Sequence, residues 1–376
     1  MAADLSSATL AFSFDLYKQL LAFASGSGRN VVVSPFSIAT TLSMTLAGAR
    51  GRTADEIAAV LHTGKLNDVH SNFSQFHAKL SGLAPDVTLE VANRLYCEKT
   101  FSILEEYTAA LKKCYGSAVV PVNFKTEAEQ ARLAVNAWVE EATKSKIKDL
   151  LPVGTVDYDT ALVLVNAVYF KGLWKEPFKP RRTSQKVFHT SKDKTKTVDM
   201  MRNEGEYRCC EKCDDLKASA IEIPYKGGKT SMLILLPDEV EGLADLEAAL
   251  TPSKLANVLK CLGYAKTVIL SLPRFKVEQA TNLKETLCIM GVKDLFSDTA
   301  DLSGIDGKQE LTVSAAVHKA FVEVNEEGTE AAAATVMPAA NSCDIPPKFT
   351  VDHPFMFLIR SHDPDVVLFI GSVRDI

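Results

Sequence analysis

Cys210-Glu-Lys-Cys213, preceded by Cys209, is a place in this chain of 376 residues where residue type and spacing together permit chemistry. Two thiolates three positions apart can share a zinc ion or close into a redox pair. A second pair is missing, because Cys261 and Cys288 stand alone in the sequence, and the plainer reading is an exposed hairpin that happens to carry thiols. The eight cysteines, at 97, 114, 209, 210, 213, 261, 288 and 343, are irregularly spaced, unlike the dense frameworks that staple small secreted domains. Mostly free thiols are expected. Gly227-Gly-Lys-Thr230 has the ending of a phosphate-binding loop, but the leading glycine of that motif would fall at Ile223. There is no Gly-x-Ser-x-Gly elbow for a hydrolase serine, no His-Glu-x-x-His for a zinc protease, and no ligand spacing among the seven histidines. No catalytic residue and no metal site are expected.

Lys186, His189, Lys192, Lys194 and Lys196 form a local basic stretch, with Lys179, Arg181 and Arg182 just upstream. Coulomb attraction could hold a sulfated polysaccharide there, weakened by salt. The competing reading is a solvated hairpin whose charge Asp193 and Asp199 partly offset. Over the whole chain 42 Lys and Arg face 47 Asp and Glu, a net charge of −5 that argues against general nucleic-acid binding. No apolar run reaches the roughly 18 residues of a membrane span, since even Ala161 to Phe170 is interrupted by Asn166. The N-terminus shows no basic region followed by an apolar core, so a cytosolic chain, an unconventionally released one and a mature form given a starting Met all stay open.

The elements that must position any site follow from periodicity. Leu10, Phe14, Tyr17, Leu21 and Ala24 place one apolar stripe on an opening helix. The run Val31 to Val33 stops at Ser34-Pro35, where Ser34 can cap a helix and Pro35 suits its first turn, with Ile38, Leu42, Leu46 and Ala49 lining its buried face. Ala131, Val135, Trp138 and Ala142 carry a longer amphipathic helix. Ala161 to Phe170 reads as a central strand buried on both faces, in which Asn166 needs a partner. Further strands are expected at 231–236, 268–272, 320–324, 355–359 and 366–370, the last two forming a hairpin, with helices around 243–262 and 282–290. Helices early and strands late, without βαβ alternation, make the class α+β in one unit spanning 1–376. With 47% hydrophobic residues the chain can bury a large core.

One segment fits none of this. Glu326-Glu-Gly-Thr-Glu-Ala-Ala-Ala-Ala-Thr335 follows a strand, and the chain then runs on to Pro347 with little turn or core signal. Its four alanines prefer helix, yet they lack any bulk that would stop them from threading into a sheet. A conflict of that kind between local and global preference marks a functional segment.

Glu327 to Thr335 resembles the hinge of inhibitory serpins, the serine protease inhibitors that work by loop insertion. The resemblance extends over essentially the whole chain, through Asn30 to Ile38, Gly48 to Thr53, Leu164 to Trp174, Leu272 to Lys276, His318 to Gly328 and Asp352 to Leu358, in the order the family has them. Segments such as Ser361 to Asp365 and Val135 to Glu140 are most similar to tick serpins. The resemblance implies a serpin fold of three β-sheets and about nine helices with an exposed reactive-centre loop over about 326–347. It also implies irreversible inhibition, in which a protease attacks the loop and is trapped as an acyl-enzyme when the loop inserts as a strand into the large sheet.

In an inserted strand Thr329, Ala331, Ala333, Thr335 and Met337 would share one face, and Glu330, Ala332, Ala334 and Val336 the other, whose single charge, Glu330, can be solvated. Family geometry counts fourteen residues from Gly328 to the attacked bond, Ser342-Cys343, with Asn341 or Met337 as alternatives if the register slips. No Lys or Arg lies between Thr329 and Pro347, so elastase-like or chymotrypsin-like proteases are expected as partners and trypsin-like ones are not. Ser34, Ser37, Asn166 and His318 match the polar cluster beneath the sheet opening, and Trp174 matches the tryptophan at its top. The resemblance further implies a secreted monomer, with a cytoplasmic location as the alternative and modulation of host haemostasis or inflammation as a setting. No cofactor is required, although Lys186, Lys192, Lys194 and Lys196 could recruit a heparin-like glycosaminoglycan. A non-inhibitory binding protein on the same fold and an inhibitor of cysteine proteases are the competing functions. Cys343 stands where a serine is common, and Asn72-Phe-Ser74 is a glycosylation sequon should the chain enter a secretory route.

Overall fold

The computed structural model describes residues 4–24, 28–328 and 346–376. In chain order the elements begin α1 (Leu5–Ala24), β1 (Val31–Val33), α2 (Pro35–Gly48), α3 (Gly51–Val60), α4 (Val69–Ser81), β2 (Val87–Glu98), α5 (Glu105–Tyr115), β3 (Val119–Val122), α6 (Phe124–Ala142) and β4 (Leu162–Gly172). They continue β5 (Ser184–Ser191), β6 (Lys194–Cys213), β7 (Ala218–Pro224), β8 (Thr230–Pro237), α7 (Leu243–Ala249), α8 (Pro252–Cys261), β9 (Lys266–Pro273), β10 (Phe275–Asn282), α9 (Leu283–Met290) and α10 (Ser303–Asp306). The chain closes with β11 (Val313–Val324), β12 (Lys348–Thr350), β13 (Phe355–His362) and β14 (Asp365–Val373).

One sheet has five strands in the order β10-β11-β4-β2-β3. The other strands follow a path through β6, whose Arg208 to Cys213 pairs with β7 and whose Met200 to Tyr207 pairs with β9. That long strand therefore belongs to two sheets in succession, which gives three in all, as the resemblance implies. The α+β class holds, with ten α-helices among the described residues, the tenth a single turn.

The elements form where the periodicity places them, with instructive differences at their ends. In β4 Leu164, Val168 and Phe170 enter the main core beneath the sheet, whereas Val163, Val165, Ala167 and Tyr169 face a second core under α6. Both faces are thus buried, and Val135 and Val139 of α6 are part of that second core. The helical pattern over 243–262 is two helices, because Pro252 occupies a first-turn position and the Thr251 hydroxyl accepts from Lys254 N at 3.3 Å. Ser34 precedes α2 but makes no side-chain cap; its hydroxyl donates instead to Leu368 O of β14 at 2.7 Å, which ties the helix start to the sheet behind it. Asn72 of the sequon lies inside α4, with its amide donating to Asn67 O at 3.1 Å.

The cysteines correct one expectation. Cys261 does not stand alone: it is bonded to Cys210, joining the end of α8 to β6 across 51 residues of sequence. Cys209, Cys210 and Cys213 are buried, so the segment is not an exposed hairpin with idle thiols. Nothing local in the sequence signals a pairing made by a helix crossing a sheet. Cys97, Cys114, Cys209, Cys213 and Cys288 are free, as expected for most of the set.

Candidate functional site

The five-stranded sheet holds an unusual pairing at its centre. β4 pairs antiparallel with β2, and β11 pairs antiparallel with β10, but β4 and β11 run parallel to each other from Val313↔Leu162 to Val322↔Phe170. A parallel ladder is slightly weaker per residue than an antiparallel one. A strand that left the upper end of β11 and doubled back between the two would be antiparallel to both. It would replace one parallel ladder by two antiparallel ladders.

The chain beyond β11 has already begun that reversal. Asn325 and Gly328 form an antiparallel bridge, with Gly328 N donating to Asn325 O at 3.3 Å. Gly328 has φ +85° and lies against the end of β4, so closely that a Cβ would stand 2.1 Å from Gly172 O and 2.5 Å from Trp174 N. Only glycine satisfies both the dihedral and the space. Trp174 holds the turn from the other side: its backbone N donates to Glu327 O at 3.1 Å and its indole Nε1 to Asn325 O at 2.9 Å. The indole stacks on Tyr225 with ring centroids 4.5 Å apart and planes 7° from parallel.

Glu326 anchors the same turn electrostatically. Its buried carboxylate accepts from Arg274 Nε at 2.7 Å, contacts Arg274 Nη2 as well, and accepts from the Thr183 hydroxyl. Burial pushes this carboxyl up, but the hydrogen bonds from Arg274 and Thr183 outweigh it and hold it below 4.5. Glu326 falls within the segment singled out in the sequence, whereas Arg274 and Thr183 carried no signal because their partnership is made only by the fold.

Beneath the seam lies the polar cluster. His318 of β11 and Asn166 of β4 are cross-strand partners, and Asn93 of β2 is the next partner in the row. Ser34 N donates to His318 Nε2 at 3.2 Å, so Nδ1 carries the hydrogen and donates to Asn166 Oδ1. The Asn166 amide nitrogen faces four acceptors: Ser37 O at 2.8 Å, Ser37 Oγ at 2.7 Å, Thr41 Oγ1 at 2.9 Å and Asn93 Oδ1 at 2.7 Å. Two hydrogens serving four acceptors can be redistributed without leaving the amide unpaired. A cavity of about 280 Å³, lined in part by Ser34, Ser37, Asn93, His77 and Tyr115, adjoins the cluster. The structure thus brings together four of the five residues read from sequence, Ser34, Ser37, Asn166 and His318, and adds Asn93 and Thr41. Trp174 sits apart from them, at the top of the seam.

Burial pushes the His318 imidazole down from 6.5 to about 3. On acidification the unfolded chain takes up a proton near pH 6.5 that the folded chain refuses until about pH 3, so stability falls as pH drops through that window. The slope is about 1.4 kcal/mol per pH unit for one proton. His318→Gln is expected to remove about one proton from this dependence, read from denaturant unfolding at a series of pH values. His77, pushed down by burial to about 4, acts in the same direction and remains in the variant. An unchanged slope would show that His318 is not held neutral by the fold.

The basic stretch from Lys186 to Lys196 lies on the β5–β6 hairpin. Lys196 Nζ pairs with Asp375 at 2.6 Å and Lys192 Nζ lies 3.8 Å from Glu241, while Lys186 and Lys194 are exposed. Thr329 to Thr335 and Ser342-Cys343 lie outside the described residues.

The site thus combines a parallel seam, a glycine-hinged chain turned back at its top, and a polar cluster beneath it. The chain belongs to the serpin family, whose model, described as serine protease inhibitor, matches residues 7–376. It is similar to Iris of Ixodes ricinus, at 54% identity with both chains covered in full. It is also similar to leukocyte elastase inhibitor A of Mus musculus, at 45% identity over 98% of this chain and 99% of that one. Among solved structures, uncleaved ovalbumin superposes with a TM-score of 0.92 at 34% identity over the full length of both chains. Protease inhibition is the activity for which the Mus musculus relative, and the similar leukocyte elastase inhibitor of Homo sapiens at 42% identity over 98% of both chains, are named.

Proposed function

We propose that the chain is an irreversible, suicide-substrate inhibitor of serine proteases with elastase-like or chymotrypsin-like preference, consumed in the reaction and not an enzyme. The protease serine attacks the bond after Ser342, the peptide beginning at Cys343 leaves, and the freed loop descends between β11 and β4 while still esterified to the protease. The observation that carries this reading is the parallel seam, at whose upper end Gly328 already lies beside Gly172. The all-small loop Pro338-Ala-Ala-Asn-Ser342 suits a shallow primary pocket, and the relatives named elastase inhibitors agree with that preference. We take about 326–347 as the reactive-centre loop of a single serpin unit acting as a monomer.

The Cys210–Cys261 bond favours an oxidising, extracellular setting, consistent with action on a host protease of haemostasis or inflammation. A heparin-like polysaccharide, if one assists, would meet Lys186 and Lys194 before the paired Lys192 and Lys196. The test is incubation with pancreatic and neutrophil elastase, chymotrypsin, trypsin and a papain-like protease, followed by denaturing electrophoresis and mass spectrometry of the released peptide. A complex with elastase or chymotrypsin that survives denaturation, with a peptide starting at Cys343, is expected. Cleavage by all without any complex would favour a non-inhibitory binding protein, trapping of the papain-like enzyme alone would move the target class, and another peptide start would move the bait to Asn341 or Met337.

A further inference from the structure

Cys213 sits with its sulfur 3.2 Å from the sulfur of Cys210, which is itself bonded to Cys261. All three sulfurs lie within 4.8 Å of one another, and among the described residues no other group of three His, Cys, Asp or Glu side chains brings its ligand atoms so close. The arrangement is built by an irregularity. In a regular strand residues three apart point to opposite faces, but the pairing of β6 with β7 shifts register between Cys210 and Cys213 and turns both sulfurs toward the end of α8. Cys209, the adjacent thiol, is not part of the group.

We propose that the reduced cluster is a thiophilic metal site in which Cys210, Cys213 and Cys261 bind one Zn²⁺, and that closure of the Cys210–Cys261 disulfide abolishes it. Tetrahedral zinc with Zn–S of about 2.3 Å sets its sulfurs roughly 3.8 Å apart. The Cys210 and Cys213 sulfurs, 3.2 Å apart, already lie near that separation, and opening the disulfide frees the Cys261 sulfur to move out to it. An external dithiol supplies the electrons: the Cys210–Cys261 S–S bond breaks, the reductant closes its own disulfide, and its two protons leave Cys210 and Cys261 as thiols. Zn²⁺ then takes the three sulfurs as thiolates and releases their three protons to solvent. Cys210 and Cys213 are buried while Cys261 is exposed, so the ion has access from the α8 side, where water can take the fourth position. Metal binding and disulfide formation use the same sulfurs, which makes occupancy a function of redox state.

The experiment uses the full chain, reduced with a dithiol that is then removed under anaerobic conditions, and titrates it with Co²⁺ before displacement by Zn²⁺. One Co²⁺ per chain, with a thiolate-to-cobalt charge-transfer band, is expected in the reduced protein and none in the oxidised one. Cys213→Ser and Cys261→Ser should each lose about tenfold or more in affinity, since disturbing even an outer-shell partner costs that much. Cys209→Ser should bind as the wild type does. Cys261 is exposed at the end of its helix, so its serine variant keeps the test valid should Cys213→Ser disturb the core. Absence of Co²⁺ binding by the reduced chain, equal binding by the oxidised chain, or wild-type affinity in Cys261→Ser would each overturn the proposal.

Discussion

Thr329→Arg is expected to be cleaved at its bait as fast as the wild type and to retain almost none of the protease that cleaves it. On the proposed mechanism trapping is a race between strand insertion and hydrolysis of the acyl-enzyme, and the first residue past Gly328 would be the first to enter the seam. At that level the inner face of the sheet is fully buried, with Phe170, Val322 and Val324 in the main core. None of these three side chains can pair with a guanidinium placed among them. Burial of an unpaired polar group costs roughly 2–7 kcal/mol. If about 3 kcal/mol of that falls on the insertion barrier, insertion slows by more than a hundredfold. Glu330→Arg is the matched control, because the alternate face at the same height carries half-buried Lys171 and Glu323 and already accommodates a charge. Denaturing gels with elastase should show cleaved inhibitor alone for Thr329→Arg and a persistent complex for Glu330→Arg. Equal complex formation by both variants would contradict insertion through this seam.

Glu326→Lys is expected to destabilise the top of the sheet more than any other single charge change in the hinge. It removes the acceptor of Arg274 and Thr183 and sets a second cation beside Arg274 in a buried position. Breaking a buried ion pair by losing one partner costs about 3–5 kcal/mol. The Arg274 side chain is 42% exposed, which screens part of that toward the lower end. The backbone contacts of Trp174 and Phe178 with residues 326 and 327 depend on the same turn, so the β4–β11 seam should loosen with it. A loosened seam presents unpaired strand edges that a loop from another molecule can occupy. A lower denaturant midpoint and ladders of oligomers on native gels after mild warming are the expected readouts. A monodisperse variant with an unchanged midpoint would show that Glu326 does not hold the seam.

How much of this was legible depends on whether the signal is local. The apolar run of β4 with Asn166 at its middle and the paired periodicities of α1 and α2 are local patterns, and each is where the sequence places it, whereas the bulk-free stretch from Thr329 lies outside the described residues. β2 is absent from the strands expected above although Val87, Leu89, Val91, Leu95 and Cys97 alternate along it, with Asn93 alone interrupting that face. With β2 unread, Asn93 could not be assigned to the cluster. Arg274 and Thr183 meet Glu326 from distant parts of the chain, and Cys261 meets Cys210 across a helix. No spacing rule carries such pairings. Ser34 shows the converse: its type and position suit a cap, yet a stronger claim from Leu368 O redirects its hydroxyl.

The central claim is that the native sheet is incomplete and gains a strand when the loop is cut. Thermal unfolding of the chain before and after cleavage of its reactive loop by a protease that does not become trapped measures this directly. Conversion of the single β4–β11 ladder into two antiparallel ladders should make the cleaved protein unfold at a markedly higher temperature than the intact one, although a peptide bond has been lost. A cleaved protein that unfolds at the same temperature as the intact chain, or below it, would contradict the account.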